Sequence, residues 1–166
     1  MKAFAVLFAA GLGLAGSAHA AEPSGCDKFK WPMTHEQAAL SAAPSAHLQP
    51  GGALPLDAAA DIQLAPFAEA KLDMPPERAP KASPSYAAEV KLDAPAAAGT
   101  FKISISQEGW IDVIQDGHFV KPVAFSGATD CAGLRKSVKF PLAPKPATIQ
   151  LSNVKGSDIS VIVSPE

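Results

Sequence analysis

The sequence predicts a mainly β protein: an antiparallel β-sandwich of Greek-key or jelly-roll type, with about seven or eight strands and one short N-terminal helix. Three observations predict this fold. From residue 86 onward, apolar and polar residues alternate with a period of two, which is typical of half-buried strands. The alternating segments follow one another about every ten residues, with Pro, Gly or Asn between them. Only one segment of the 166-residue chain has the features of a helix. A single closed sheet is the alternative architecture.

The first 20 residues have the three parts of a secretory signal peptide. Lys2 supplies the positive start, residues 3–15 are apolar, and small residues lead to a cleavage site between Ala20 and Ala21. The apolar stretch is shorter than the roughly 20 residues that a bilayer-spanning helix needs, and no other segment is long and apolar enough. We therefore expect no transmembrane segment and an exported protein, either periplasmic or secreted.

The only two cysteines, Cys26 and Cys131, lie far apart in the sequence. Exported thiols are normally oxidised, so we expect a disulfide that ties the N-terminal arm to the rest of the protein. Two alternatives stay open. Ser24 and Gly25 precede Cys26 as they would in a lipid-attachment motif, and either thiol could be reactive if a His lay beside it in the fold.

Residues 21–57 are predicted to form an N-terminal arm. A helix over residues 35–43 is indicated by Thr34, which can cap its first turn, and by Gln37, which can complete a capping box. Residues 44–55 hold three prolines and two adjacent glycines, a composition that favours a loop without regular hydrogen bonds.

Residues 58–166 are predicted to form the β-sandwich domain. A weak strand lies within residues 58–65 and is stopped by Pro66. The inward-facing apolar positions of the later strands are Ala88, Val90, Leu92, Phe101, Ile103, Ile105, Val138, Phe140, Leu142, Ile149, Leu151, Ile159, Val161 and Val163.

A β-hairpin is the clearest local prediction. Residues 110–115 and 118–125 flank the pair Asp116-Gly117, and a two-residue hairpin turn needs positive φ angles, which Gly accepts and Asp tolerates.

The composition excludes several functions. A formal net charge of -2 leaves no basic field for nucleic acid or anionic membrane surfaces, so we expect neither as a partner. No nucleophile, phosphate-binding or paired-carboxylate motif is present. The predicted mature chain keeps only three histidines, His35, His47 and His118, in no metal-binding spacing. We therefore expect no catalytic residue, no metal and no cofactor.

Trp31 and Trp110 are the best candidates for ligand contact, because a rigid aromatic ring gives a large contact area at little entropic cost. Core packing is the alternative role for each. Arg135 and Lys136 lie close to Cys131, where a loop held by a disulfide could present two cations to an anion or a partner.

Asp112 and His118 are further candidates, because both lie on the predicted hairpin. A cation bound by His118 with Asp112 or Asp116 would make the protein a small metal-dependent enzyme, which is an alternative to the binding function. A structural role for Asp116 in the turn is the competing interpretation.

Two resemblances agree with an exported β protein. Segments LDAP (92–95), GTFKIS (99–104) and WIDV (110–113) resemble the jelly-roll, pre-peptidase-type modules of secreted bacterial proteases and glycosidases. These modules bind or stabilise. Segments CDKF (26–29), GWIDVIQDG (109–117) and GLRKSV (133–138) resemble a set of small, uncharacterised exported proteins of Gram-negative bacteria. Some of these carry the label homogentisate dioxygenase, whose two-His, one-carboxylate iron site has no matching pattern in this chain.

The function we expect is therefore that of an exported, non-catalytic binding or interaction module. Its partner would be an envelope protein or a glycan, and we expect a monomer. The metal-dependent enzyme and a structural cell-envelope protein are the two alternatives.

Overall fold

A computed structural model describes residues 21–81 and 83–166. The predicted signal peptide, including Ala20 of its cleavage site, lies outside the described residues. The described chain is mainly β, with a short 3-10 turn at Cys26–Lys28, one α-helix, α1 (Thr34–Ser41), and eleven strands. The strands are β1 (Ala46–Leu48), β2 (Ala60–Gln63), β3 (Ala65–Pro66), β4 (Tyr86–Leu92), β5 (Gly99–Ile105), β6 (Trp110–Gln115), β7 (His118–Phe119), β8 (Ala124–Gly127), β9 (Lys136–Leu142), β10 (Ala147–Val154) and β11 (Asp158–Pro165).

The strands form two sheets. One has six strands in the order β1-β2-β11-β5-β9-β8, and the other has five in the order β3-β4-β10-β6-β7. Every strand pair is antiparallel except β1 with β2. Inward-facing residues of both sheets, such as Ile103, Val161, Val90 and Ile149, belong to one buried apolar cluster. Burial of this shared cluster is the main force that holds the sheets together.

The N-terminal arm covers the outer face of the six-stranded sheet. Phe29, Met33 and Leu40 pack there with Leu134 and Ile162 in a second buried cluster. The arm is fixed covalently at this place, since the predicted disulfide between Cys26 and Cys131 is confirmed. The bond uses the Cys26 sulfur that lipid attachment would need, and neither cysteine is a free thiol.

An ion pair also joins α1 to the sheet. The Glu36 side chain is buried, with its Oε1 2.5 Å from the Nζ of Lys102 on β5. The hydroxyl of Ser164 on β11 donates to the same oxygen at 2.5 Å.

Residues 73–81, which we call the strap, cross the outer face of the five-stranded sheet. Residues 73–81, all of them described, contain no β-strand and do not pair with either sheet. Instead, the N–H groups of Asp73, Glu77 and Lys81 donate to the side chains of Glu89, Asp112 and Asn153 at 2.7, 3.3 and 2.7 Å. These acceptors lie on three neighbouring strands, β4, β6 and β10.

Three local predictions were wrong. Met33 is the N-cap of α1 and no side chain caps the helix, because Thr34 already lies within the first turn. The Gln37 amide donates to Cys26 Sγ at 3.1 Å instead of completing a capping box. Within the predicted loop of residues 44–55, β1 forms because β2 offers it a partner.

The hairpin turn is confirmed, with positive φ at Asp116 (53°) and Gly117 (75°). Its second strand is much shorter than predicted. β7 pairs over only two residues, after which the chain leaves the sheet at Pro122, which has no N–H to donate, and enters the other sheet as β8. The crossing divides one predicted strand into β7 and β8, and the short strands β1 and β3 were not predicted. The described chain therefore has eleven strands where about seven or eight were expected. In the part of the chain that is described, no helix is long and apolar enough to cross a membrane.

Candidate binding site

Two adjoining clefts lie where the two sheets separate at one side. The first cleft has a volume of about 180 Å³ and the second about 330 Å³. Phe125 and Lys136 line both clefts, so we treat the two together as the edge surface. The first cleft is completed by Glu77, Arg78, Trp110, Ile111, Asp112, Pro122, Val138 and Phe140. The second is completed by Glu22, Pro23, Lys28, Lys30, Glu108, Ser126, Gly127 and Arg135.

The strand pairing explains why the first cleft is open. β7 pairs only with residues 114 and 115 of β6, so the start of β6 has no neighbouring strand on that side among the described residues. Trp110 and Asp112 lie on the same face of β6, as the period of two predicts, and both line the cleft. The buried side chains of Ile111, Val138 and Phe140 form its apolar floor.

Phe125 is the most exposed large apolar side chain among the residues described, at 63%. It follows the crossing at Pro122 and lies on β8, at the outer edge of the six-stranded sheet. The Lys30 ammonium lies 4.8 Å from its ring centroid, and the Arg78 guanidinium lies 5.8 Å from the Trp110 ring centroid. Both separations are within the range of cation–π attraction.

The carboxylates of the edge surface already have partners. Arg135 binds both Glu22 and Glu108, at 2.7 and 2.6 Å. Glu77 binds Lys121, and Asp112 accepts the Glu77 N–H.

Three cations of the same surface lack such partners. Within the described chain, Lys30, Arg78 and Lys136 form no ion pair with a carboxylate. Lys136 instead donates to the Gly109 carbonyl oxygen at 2.8 Å. The edge surface therefore has spare positive charge beside two aromatic rings.

Two ionisable groups of the first cleft are perturbed. Burial lowers the pKa of Lys136, the nearby Glu108 opposes this, and the positive charges of Arg78 and Arg135 add to the lowering. Burial raises the pKa of Asp112, although the hydrogen bond from the Glu77 N–H acts in the opposite direction. Each pKa shift shows that burial has partly removed the charged group from water. A ligand group of opposite charge would be attracted more strongly there than at a fully hydrated position.

The structure places the other predicted residues as follows. Trp31 lies outside both clefts and packs beside the second apolar cluster, with Lys139 4.3 Å from its ring centroid. Arg135 lines the second cleft, but its guanidinium is already held by two carboxylates. Nearby Asp130 accepts a hydrogen bond from Ser24 Oγ at 2.5 Å.

The residues of the alternative metal site, His118 with Asp112 or Asp116, do not converge. His118 Nδ1 is hydrogen-bonded to the Asp116 carbonyl oxygen at 2.8 Å, and the Asp116 carboxylate binds Lys145 at 2.6 Å. Asp112 instead faces the first cleft. Residues 21–81 and 83–166 contain no group of three or more side chains that could hold a metal ion.

Phe125, Lys30 and Arg78 belong to the edge surface but were not predicted. Phe125 occupies an apolar position in a segment that is predicted to be a strand. The sequence cannot show that the five-stranded sheet does not extend far enough to cover it. Lys30 and Arg78 come from the arm and the strap, whose positions depend on tertiary contacts.

The chain matches no protein-family model, and comparisons with curated proteins and with solved structures found no similar protein.

Proposed function

We propose that the protein is an exported, non-catalytic binding module, a β-sandwich of Greek-key type that holds its ligand on the edge surface. It would act as a monomer on an envelope protein or a glycan, in the periplasm or outside the cell. The Trp110 and Phe125 rings supply contact area, and Lys30, Arg78 and Lys136 supply the charge that selects the ligand.

The main observation in support of this proposal is the exposure of the Phe125 side chain. A phenylalanine that is 63% exposed leaves apolar area in water that folding could have buried. Here it stands beside a second ring and an apolar floor, and spare cations surround the cleft. Central aromatic contacts with a charged rim are the usual composition of a binding hot spot.

The disulfide supports export. Structural disulfides persist in oxidising compartments and are rare in the cytosol. The Cys26–Cys131 bond is of this structural kind, since it closes a loop across most of the described chain. Its presence is consistent with the predicted signal peptide.

The test is a thermal-shift screen of the oxidised protein against peptides, acidic and neutral glycans, peptidoglycan fragments and metal ions, with and without EDTA. We expect a ligand that raises the melting temperature regardless of EDTA. Trp110→Ala and Phe125→Ala should abolish the shift, whereas Leu56→Ala should keep it, because Leu56 is an exposed apolar residue outside both clefts. Ligand stabilisation that survives both aromatic substitutions, or that EDTA removes, would contradict the proposal.

A further inference from the structure

β8 is the outermost strand of the six-stranded sheet, and its backbone direction can be read from its neighbours. The Ala128 N–H donates to the Arg135 carbonyl oxygen, toward β9. The next residue, Thr129, points the other way. Its N–H donates to Pro23 and its carbonyl accepts from Gly25, both at 2.8 Å.

Backbone groups of successive strand residues alternate between the two sides. The N–H and C=O of Phe125 and Gly127 therefore point to the same free side as those of Thr129. No strand of the described chain pairs with β8 there. An edge of this kind is a template for another extended chain.

The protein itself shows that this edge accepts a strand. Ser24 forms a parallel bridge with Thr129, so the arm already adds a short extended segment to the continuation of β8. Glu22, next to this segment, binds Arg135. An acidic residue beside the added segment thus already meets a cation of the edge surface, close to Gly127.

The side chains around the open positions indicate the chemistry of the occupant. One face offers the first cleft, with the Phe125 and Trp110 rings and Lys136. The other cleft offers Lys30, whereas Lys28 in the same cleft is already paired with Asp27 at 2.7 Å. A chain that alternates apolar and acidic residues satisfies both, because successive side chains of a strand point to opposite faces.

We propose that β8 binds an extended acidic peptide segment of an envelope protein as an added strand, pairing with the backbone of Phe125 and Gly127. This inference rests on the proposed function, since it assigns a ligand class to the same surface. A glycan would use the rings and cations but has no alternating N–H and C=O groups to match the free edge.

The probe is a fluorescent octapeptide of alternating valine and glutamate. It is compared with the same peptide N-methylated at every amide, so that neither edge can donate to β8, with an alternating valine–lysine octapeptide, and with an oligosaccharide of uronic acids. We expect the first peptide alone to bind, and its affinity to fall as salt is added.

Two protein variants separate the backbone from the ring. Phe125→Ala removes the ring and keeps the N–H, whereas Phe125→Pro removes both. Proline is tolerated where an edge N–H faces solvent, and far-UV circular dichroism checks the fold. We expect Phe125→Pro to bind about two- to tenfold more weakly than Phe125→Ala, the value of one backbone hydrogen bond.

A charge variant completes the set. Lys30→Gln should weaken binding by about two- to fivefold and reduce its salt dependence. Lys155→Gln should change nothing, because Lys155 is exposed and lines neither cleft.

The outcomes separate the two proposals. Equal binding of the N-methylated peptide by the unaltered protein overturns strand addition, as does binding of neither peptide up to millimolar concentration. If only the uronic oligosaccharide binds, and Trp110→Ala abolishes this, then strand addition is wrong and the proposed function stands. If Trp110→Ala and Phe125→Ala leave every interaction unchanged, then both proposals are wrong.

Discussion

Replacing Glu36 by alanine would remove the carboxylate that pairs with Lys102 beneath α1. The Glu36 side chain is 1% exposed and that of Lys102 is 14% exposed, so the change leaves a largely buried ammonium without a counter-charge. Breaking a buried pair in this way costs roughly 3 to 5 kcal/mol. Lys102 retains some contact with water, so we expect a loss near the lower end, about 3 kcal/mol.

Urea unfolding followed by tryptophan fluorescence measures this loss. With a slope of about 2 kcal/mol/M, the midpoint should fall by about 1.5 M. The matched control replaces both partners, Glu36→Met with Lys102→Met. Removing a buried ion pair as a whole is often neutral or stabilising, so the double variant should recover most of the stability.

A cost below about 1 kcal/mol for Glu36→Ala, or a double variant as unstable as the single one, would contradict a buried pair held by its charges. The first result would mean that the ammonium reaches water freely. The second would mean that α1 depends on the shape of these side chains rather than on their charges.

The same pair also makes stability depend on pH. Burial alone would raise the pKa of Glu36, but the hydrogen bonds from Lys102 and Ser164 outweigh it and hold the pKa below its ordinary value of 4.5. A carboxyl with a lowered pKa stabilises the fold above its ordinary value, and this contribution is lost as the pH falls through the lowered pKa. Glu36→Gln should therefore flatten the decline of the urea midpoint below about pH 4.5, and an unchanged decline would assign the acid sensitivity to other groups.

The remaining predictions concern three separate features. Replacing Cys26 and Cys131 by alanine should cost up to about 4.7 kcal/mol in urea unfolding, the chain-entropy value for a loop of ~100 residues, and a loss below about 1 kcal/mol would contradict a constraining bond. Gly117→Ala should cost about 1 to 2 kcal/mol, because the residue has a φ of 75° with nothing near its missing Cβ, and an equally stable variant would contradict strain at this turn. Burial raises the pKa of Asp112, so NMR should show this carboxyl titrating above 3.8. Its contribution to stability is present below pH 3.8 and is lost as the pH rises through the raised pKa. Asp112→Asn should therefore remove this loss of stability.

The long strands and β2 could be predicted from the sequence, whereas the other short strands could not. β4, β5, β6, β9, β10 and β11 each turn one face to the shared apolar cluster, so their apolar residues repeat every second position. β1, β3, β7 and β8 have two to four residues, too few for a period to be visible. They form because a longer strand offers a partner, which is tertiary information.

The same limit applies to the candidate site. Trp110 and Asp112 could be placed on one face from the alternation in β6, and Lys136 was selected by its charge. That Phe125 is exposed depends on where the facing sheet ends, and this is decided by the departure of the chain at Pro122. Trp31 and Trp110 were both predicted to contact a ligand, but only Trp110 lines a cleft. Trp31, on the arm, packs beside the second apolar cluster instead.

The position of β11 has a consequence for how the protein is made. It is the last strand in the sequence, yet it lies between β2 and β5, and in the described chain β2 has no other antiparallel neighbour. The early strands β1 and β2 therefore cannot join the large sheet until residues 158–165 are also free to fold. A chain that stops before residue 158 would leave the buried Ile62 without its β11 neighbour and attract proteases. A tag fused directly after Glu166 needs a flexible spacer, because the Glu166 N–H donates to the Thr100 carbonyl oxygen.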